Sequence, residues 1–190
     1  MTRKKIIVIC GSTRADSVNL HLIQAIGDIA NAQFEINIFK ELAGIPHFNP
    51  DLDTDSPPAE VTQFREQLKA ADGILICTPE YAMGVPGTLK NAIDWTVSSM
   101  EFSHKPVALI TASSSGHKAH ASLMETLKVI ESEMTPATSL LISFIKTKIS
   151  QDGKIKDEKT LAEVQKLIKA FDELMEKQLM TDTAENETDR

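Results

Sequence analysis

The sequence lacks the short motifs that would place it in several large enzyme classes. It contains no Gly-x-Gly-x-x-Gly dinucleotide loop and no Gly-Lys-Ser/Thr Walker loop. It also has no HExxH pair, no CxxC and no Gly-x-Ser-x-Gly elbow, which argues against zinc peptidases, dithiol oxidoreductases and α/β-hydrolases. His117 and His120 are three residues apart, but no further ligands accompany them in the sequence. We therefore predict two solvent-exposed histidines and no metal site.

Basic residues are outnumbered by acidic ones, and cysteine and long apolar runs are scarce. The formal net charge of −7 disfavours nucleic acid as a partner, because a phosphate backbone requires a basic surface. The apolar run that begins near the N-terminus is too short for a signal sequence or a membrane span, so we expect a cytoplasmic protein with no membrane partner. The two cysteines, Cys10 and Cys77, each end an apolar run. We interpret both as small buried residues rather than reactive thiols.

Apolar runs alternate with segments of helical periodicity along the chain. Five of these runs indicate strands, at residues 5–10, 34–39, 73–77, 106–112 and 138–149. The second run alternates polar and apolar residues and is typical of an edge strand, whereas the first, third and fourth are continuous, as in parallel strands covered on both faces. The pattern predicts a three-layer, doubly wound α/β fold with a parallel five-stranded sheet, for which we expect the flavodoxin-like order 2-1-3-4-5.

The domain organisation that follows from this pattern is simple. We expect one domain over residues 1–180, with no internal repeat and no second domain. The polar tail, residues 181–190, is expected to be disordered.

The turn after the first strand, residues 11–19, holds one glycine, one cation and several small polar side chains. A helix start attracts phosphate through its free N–H groups and its dipole, and the Arg14 guanidinium could bind two phosphate oxygens at once. An ordinary βα turn with an N-cap at Ser17 is the alternative. In the expected strand order, this turn meets residues 78–85 and 112–117 at the switch point, where ligands of such sheets bind.

Two stretches of the chain resemble the NAD(P)H-dependent FMN reductase family. This flavodoxin-like family includes FMN, quinone, azo-dye and chromate reductases. The first stretch is Gly11-Ser12-x-Arg14-x-x-Ser17-x-Asn19-x-x-Leu22, and the second is Pro79-Glu80-Tyr81-x-x-x-x-Pro86-Gly87-x-Leu89-Lys90-Asn91-Ala92-Ile93-Asp94-Trp95. The resemblance implies FMN as cofactor, NADPH or NADH as electron donor, and no catalytic side chain, since the flavin performs the chemistry.

The resemblance also implies which residues contact the cofactor. Those around the phosphate would be Ser12, Thr13, Arg14, Ser17, Val18 and Asn19. Those around the isoalloxazine would be Pro79, Glu80, Tyr81, Ala82, Met83 and Gly84, bordered by Ser113, Ser114, Ser115 and Gly116. Ala82 and Gly84 stand where the family usually has Asn and Ser, so backbone contacts at these positions survive and side-chain hydrogen bonds do not.

Further expectations concern assembly and reaction. The helix from Pro86 to Trp95 would orient the second loop and contribute to the interface of a homodimer or homotetramer, and we interpret Trp95 as a core or interface anchor rather than a flavin-stacking residue. The implied reaction is a ping-pong hydride transfer from NAD(P)H through flavin N5 to a flavin, quinone, azo compound or similar small acceptor. The alternative is a non-enzymatic electron carrier of flavodoxin type, although such carriers typically have a threonine-rich phosphate loop, which this chain lacks.

Overall fold

The computed structural model describes residues 3–150 and 152–188, and its centre is one parallel sheet of five strands. The strands are β1 (Lys4–Cys10), β2 (Phe34–Phe39), β3 (Gly73–Thr78), β4 (Val107–Ser113) and β5 (Ser139–Ser143). Their spatial order is β2-β1-β3-β4-β5, and every neighbouring pair is parallel. The predicted doubly wound topology is therefore confirmed, with its switch point between β1 and β3.

Helices cover both faces of this sheet. They are α1 (Val18–Ile29), α2 (Ala59–Ala70), α3 (Gly87–Asp94), α4 (His117–Val129) and α5 (Glu158–Thr188). Alternate residues of β1 enter opposite cores: Ile6 and Val8 pack in the core formed with α1 and α5, and Ile7 and Ile9 pack in the core formed with α2, α3 and α4. This division into two cores produces the three predicted layers. None of the helices in the described part of the chain is long and apolar enough to cross a membrane.

The fifth strand is much shorter than the sequence pattern predicts. We expected residues 138–149, but β5 ends at Ser143 and a 3₁₀ turn follows at Ile145–Thr147. The break occurs at Phe144, whose φ of 56° lies in the left-handed region and turns the chain out of the sheet. The apolar pattern continues past the break because Ile145 and Ile149 are still buried in the core.

The last helix, α5, has a side-chain cap at its start and extends close to the end of the chain. At its start, the Asp157 carboxylate accepts hydrogen bonds from the backbone N–H of Thr160 at 2.8 Å and from its hydroxyl at 2.6 Å, as expected of a capping residue. At its end, α5 continues through Thr188 and so includes most of residues 181–190, for which the sequence predicts disorder. No proline or glycine follows Gly153 in the sequence, so nothing in this segment interrupts the helix. Asp189 and Arg190 lie outside the described residues.

The long connection between β2 and α2 is fastened to α3 by two residues of the second signature. The Asn91 side chain accepts from the Phe48 N–H at 2.7 Å and donates to the Pro46 carbonyl at 2.9 Å. The Trp95 indole N–H donates to the same carbonyl at 2.8 Å, and its ring meets Phe48 edge-on with a centroid distance of 5.1 Å. Trp95 is fully buried, which identifies it as a core anchor.

Candidate functional site

A cavity of about 380 Å³ opens at the carboxyl ends of the strands, beside the switch point. We call it the central cavity. Four connections line it, those that follow β1, β3, β4 and β5. The lining residues are Ser12, Arg14, Ser17, Val18, Asn19, Pro79, Glu80, Tyr81, Ala112, Ser113, Ser114, Phe144, Ile145, Lys146 and Thr147. The three loops that the sequence predicts to converge at this edge do so.

The turn after β1 approaches β3 too closely for any residue but glycine at its first position. The Gly11 N–H donates to the Cys77 carbonyl at 2.8 Å. A Cβ on Gly11 would lie 2.7 Å from the Thr78 Cβ, closer than carbon atoms pack. This approach presses the turn against the sheet and places Ser12, which is buried, in the cavity wall.

The N-terminus of α1 faces the central cavity without a side-chain cap. Ser17 holds the N-cap position with extended backbone, φ −108° and ψ 130°, but its hydroxyl makes no capping hydrogen bond. The first N–H groups of a helix have no partners within it, so these groups and the buried Ser17 hydroxyl form a surface for an anion. Arg14 lines the same wall with an exposed side chain.

Asn19 connects α1 to two strands beneath the cavity. Its amide nitrogen donates to the Ala112 carbonyl at 3.2 Å, and its side-chain oxygen accepts from the Cys77 thiol at 3.4 Å. Asn19 thus fixes the helix start relative to β3 and β4. Cys10 and Cys77 are buried free thiols, as predicted, and burial raises the pKa of both.

The Glu80 carboxylate joins the connection after β3 to the start of α4. It accepts hydrogen bonds from the N–H groups of Gly116 at 3.2 Å, Lys118 at 2.8 Å and Ala119 at 2.9 Å. The hydrogen bond from the Ala119 N–H, together with those from Gly116 and Lys118, lowers the pKa of Glu80. This carboxylate therefore caps the start of α4 from another loop.

Residues 81–84 form a tight turn at the rim of the cavity. Tyr81 and Gly84 exchange two backbone hydrogen bonds, at 3.0 and 2.9 Å. Between them, Ala82 and Met83 both have positive φ, 49° and 61°, which is typical of a type I′ turn. The Tyr81 hydroxyl lies 3.4 Å from the Ser12 hydroxyl and so links the loops after β1 and β3.

The connection after β4 completes this wall. The Ser113 hydroxyl accepts a hydrogen bond from the Glu80 N–H at 3.2 Å. Gly116 has a φ of 93°, and a Cβ there would lie 2.7 Å from a Leu141 methyl group, so only glycine fits. Six predicted contact residues are not among those that line the cavity: Thr13, Ala82, Met83, Gly84, Ser115 and Gly116.

Sequence reasoning missed the fourth wall, formed by Phe144, Ile145, Lys146 and Thr147. The Phe144 N–H donates to the Ser114 carbonyl at 3.2 Å, and the Ser143 hydroxyl donates to the Ser115 carbonyl at 2.7 Å. These bonds attach the β5–α5 connection to the loop after β4. No glycine or proline marks the left-handed residue in the sequence, so the turn carries no local signal.

The prediction for His120 is wrong, whereas His117 is exposed as predicted. One ring nitrogen of His120 lies 2.9 Å from the Thr111 hydroxyl and the other 3.0 Å from the Ser139 hydroxyl, so the ring bridges β4 and β5. Burial lowers the pKa of His120. The two side chains therefore have different surroundings. His117 is the exposed first residue of α4, whereas His120, one turn later, faces the sheet. No group of three metal-ligating side chains occurs in the described part of the chain.

The parallel sheet, its switch-point cavity and the uncapped helix start together define a flavodoxin-like nucleotide-binding protein. The model of the family described as NADPH-dependent FMN reductase matches residues 4–147, and the chain belongs to this family. The predicted class, an NAD(P)H-dependent oxidoreductase with FMN as cofactor, is thereby confirmed.

Individual relatives agree with this membership over most of their length. A quinone reductase of Escherichia coli (strain K12) is 31% identical over 91% of this chain and 96% of its own. An NAD(P)H-dependent FMN reductase of Pseudomonas aeruginosa is 32% identical over 88% of this chain and 92% of its own. Among solved structures, the flavoenzyme NAD(P)H:(acceptor) oxidoreductase FerB of Paracoccus denitrificans matches with a TM-score of 0.76, at 29% identity over 92% of this chain and 98% of that one.

Proposed function

We propose that the central cavity holds FMN and that the protein uses it to transfer hydride from NAD(P)H to a quinone. One observation carries this proposal. The uncapped start of α1 and Arg14 line the same cavity as the loops that the Glu80 carboxylate holds together. The phosphate would lie against Ser12, Arg14 and Ser17, where N–H groups and a guanidinium meet. FMN held there would supply the hydride-transfer chemistry between NAD(P)H and the acceptor.

The protein's own residues bind and orient the cofactor and transfer no proton. Glu80 is the one carboxylate among the residues that line the central cavity, but its oxygens already accept three backbone hydrogen bonds. Its lowered pKa keeps it ionised at neutral pH, so it is unsuited to act as a general acid. Its contribution is to hold residues 79–81 and 113–116 as one wall for the isoalloxazine.

A quinone is the acceptor class that the rim of the cavity favours. Two aromatic side chains flank the opening, Tyr81 at 48% exposure and Phe144 at 67% exposure. Flat aromatic molecules pack against such side chains. The relatives from Escherichia coli and Pseudomonas putida that are named quinone reductases support the same class, and flavin and azo acceptors are the next candidates.

We further propose a cytoplasmic homodimer or homotetramer whose interface lies in the groove between α3 and α4. This groove has a volume of about 690 Å³ and holds the exposed side chains of Val97, Met100 and Val129. Exposed apolar clusters of this kind mark association surfaces. Two buried free thiols support a reducing compartment. Light scattering on wild type and Val129→Glu checks the interface: a lighter species for the variant is expected, and equal masses would contradict it.

Steady-state kinetics of the purified protein test the proposed function. FMN absorbance is expected in the purified or FMN-reconstituted chain. NADH or NADPH oxidation is expected to depend on added benzoquinone, and double-reciprocal plots at several quinone concentrations should give parallel lines. Intersecting lines would contradict the ping-pong order. Bound FMN without NAD(P)H oxidation would favour the non-enzymatic electron carrier instead.

A further inference from the structure

A second groove continues the central cavity at its phosphate end. It has a volume of about 370 Å³ and lies between the start of α1 and the β5–α5 connection. We call it the outer groove. Arg14, Val18 and Lys146 line both the central cavity and the outer groove, so the two spaces meet at these three side chains. A ligand that fills the first space can therefore extend into the second.

Two cations stand at this junction, and they come from distant parts of the chain. Arg14 follows β1, and Lys146 follows β5. Within residues 3–150 and 152–188, neither side chain has a hydrogen bond or an ion pair. The carboxylate on the same rim, Asp16, lies 3.2 Å from the His21 imidazole. The junction thus has two cationic side chains without a hydrogen bond or ion pair, in a protein whose formal net charge is −7. Two such cations can bind a phosphate group.

The far end of the outer groove is less polar than the junction. Its walls include the buried Ile149 and the imidazole ring of His21. The His21 side chain is only 32% exposed, and a Cβ added to Gly153 would lie 3.8 Å from the His21 Cβ. A flat heterocycle can lie against such a wall, with Ser150 available for a hydrogen bond. The groove thus offers a phosphate position followed by a position for a base.

We propose that the outer groove binds the adenylate part of FAD, so that FAD can replace FMN in this protein. The first phosphate would occupy the position proposed for that of FMN, and the second would lie between Arg14 and Lys146. The adenosine would then extend along Val18, His21 and Ile149. This inference rests on the proposed placement of the flavin nucleotide in the central cavity.

Competition between the two flavins for the full-length protein tests the inference. Wild type is equilibrated with equal concentrations of FMN and FAD, free flavin is removed, and the released flavins are quantified by chromatography. We expect FAD in more than about one tenth of the sites, which corresponds to dissociation constants within about tenfold of each other. Lys146→Ala should reduce the ratio of FAD to FMN by about tenfold, because it removes a charge-assisted contact to the second phosphate.

Lys156→Ala is the matched control, since Lys156 is an exposed lysine on the same connection that lines neither space. Its FAD-to-FMN ratio should equal that of wild type. An FAD share below about one tenth in wild type, or an unchanged ratio in Lys146→Ala, would overturn the inference. A wild-type chain that retains neither flavin would instead overturn the proposed function, so the two failures are distinguishable.

Discussion

The carboxylate of Glu80, which follows β3, accepts a hydrogen bond from the backbone N–H of Ala119 in the first turn of α4. Bonds from Gly116 and Lys118 reach the same carboxylate. We therefore predict that Glu80→Gln lowers the melting temperature and weakens FMN binding together, because the amide keeps one acceptor oxygen and loses the charge that favours a helix start. Glu125→Gln, an exposed residue of α4, is the control and should change neither quantity.

The pH dependence of this contribution follows from the direction of the pKa shift. The pKa of Glu80 is lowered in the folded protein from an ordinary value of 4.5. The stabilisation by ionised Glu80 is therefore fully present above that value and is lost as pH falls through the folded pKa. Denaturation of wild type and Glu80→Gln at several pH values should show a constant stability difference near neutrality that shrinks below pH 4.5. A difference that grows on acidification would contradict the assignment.

Ala82 should be replaceable by glycine with a gain in stability. Its φ of 49° lies in the left-handed region, which costs an L-residue with a Cβ about 1–2 kcal/mol. Part of the gain is offset by the greater freedom of glycine in the unfolded chain, so we expect Ala82→Gly to stabilise by roughly 0.5–1 kcal/mol. Ala121→Gly, in the middle of α4, should destabilise by about 1 kcal/mol. Urea denaturation of both variants checks the opposite signs.

An added methyl group should destabilise the protein at Gly11 but not at Gly84. Gly11→Ala forces the turn after β1 away from Thr78, and overpacking of this kind costs about 1–3 kcal/mol. At Gly84 the nearest atom to an added Cβ is the Tyr81 carbonyl oxygen at 3.7 Å, and its φ is not positive. Gly84→Ala should therefore fold with nearly wild-type stability. Thermal denaturation of both variants measures this difference, and equal decreases in stability would contradict it.

Arg14 should distinguish FMN from riboflavin, which has no phosphate. Arg14→Ala is expected to weaken FMN binding by about 1.5–3 kcal/mol, through loss of a charge-assisted contact, and to leave riboflavin binding unchanged. Arg3→Ala is the control, because Arg3 lies at the other end of β1 and contacts the Asn31 carbonyl. Fluorescence titration measures both ligands. Equal losses for FMN and riboflavin would place Arg14 away from the phosphate.

The parts of the site that could be predicted from the sequence are those with a local signal. The strand-turn-helix pattern around Gly11 marks a switch-point loop, and the spacing from Pro79 to Trp95 marks the second loop. The role of Glu80 required the fold, because the N–H groups that it binds belong to residues 116–119 on another connection. The sequence permits a capping carboxylate but does not indicate which helix it caps.

The cavity wall formed by residues 144–147 could not be predicted, because its position depends on where β5 ends. Phe144 follows β5 directly, in a left-handed conformation that phenylalanine seldom adopts. The apolar residues on either side of it continue the pattern of a strand. A hydrogen bond from its N–H to the Ser114 carbonyl supports this conformation, and that partner is distant in sequence. Lys146 was missed with it, because its place beside Arg14 depends on where the strand ends.

The attachment of the β2–α2 connection to α3 has a spectroscopic consequence. Trp95 is the only tryptophan of the chain, and its indole N–H donates to the Pro46 carbonyl while its ring contacts Phe48. Intrinsic fluorescence therefore reports on one junction rather than on an average over the molecule. A red shift of this single emission would signal release of the connection, and it could be followed without any label.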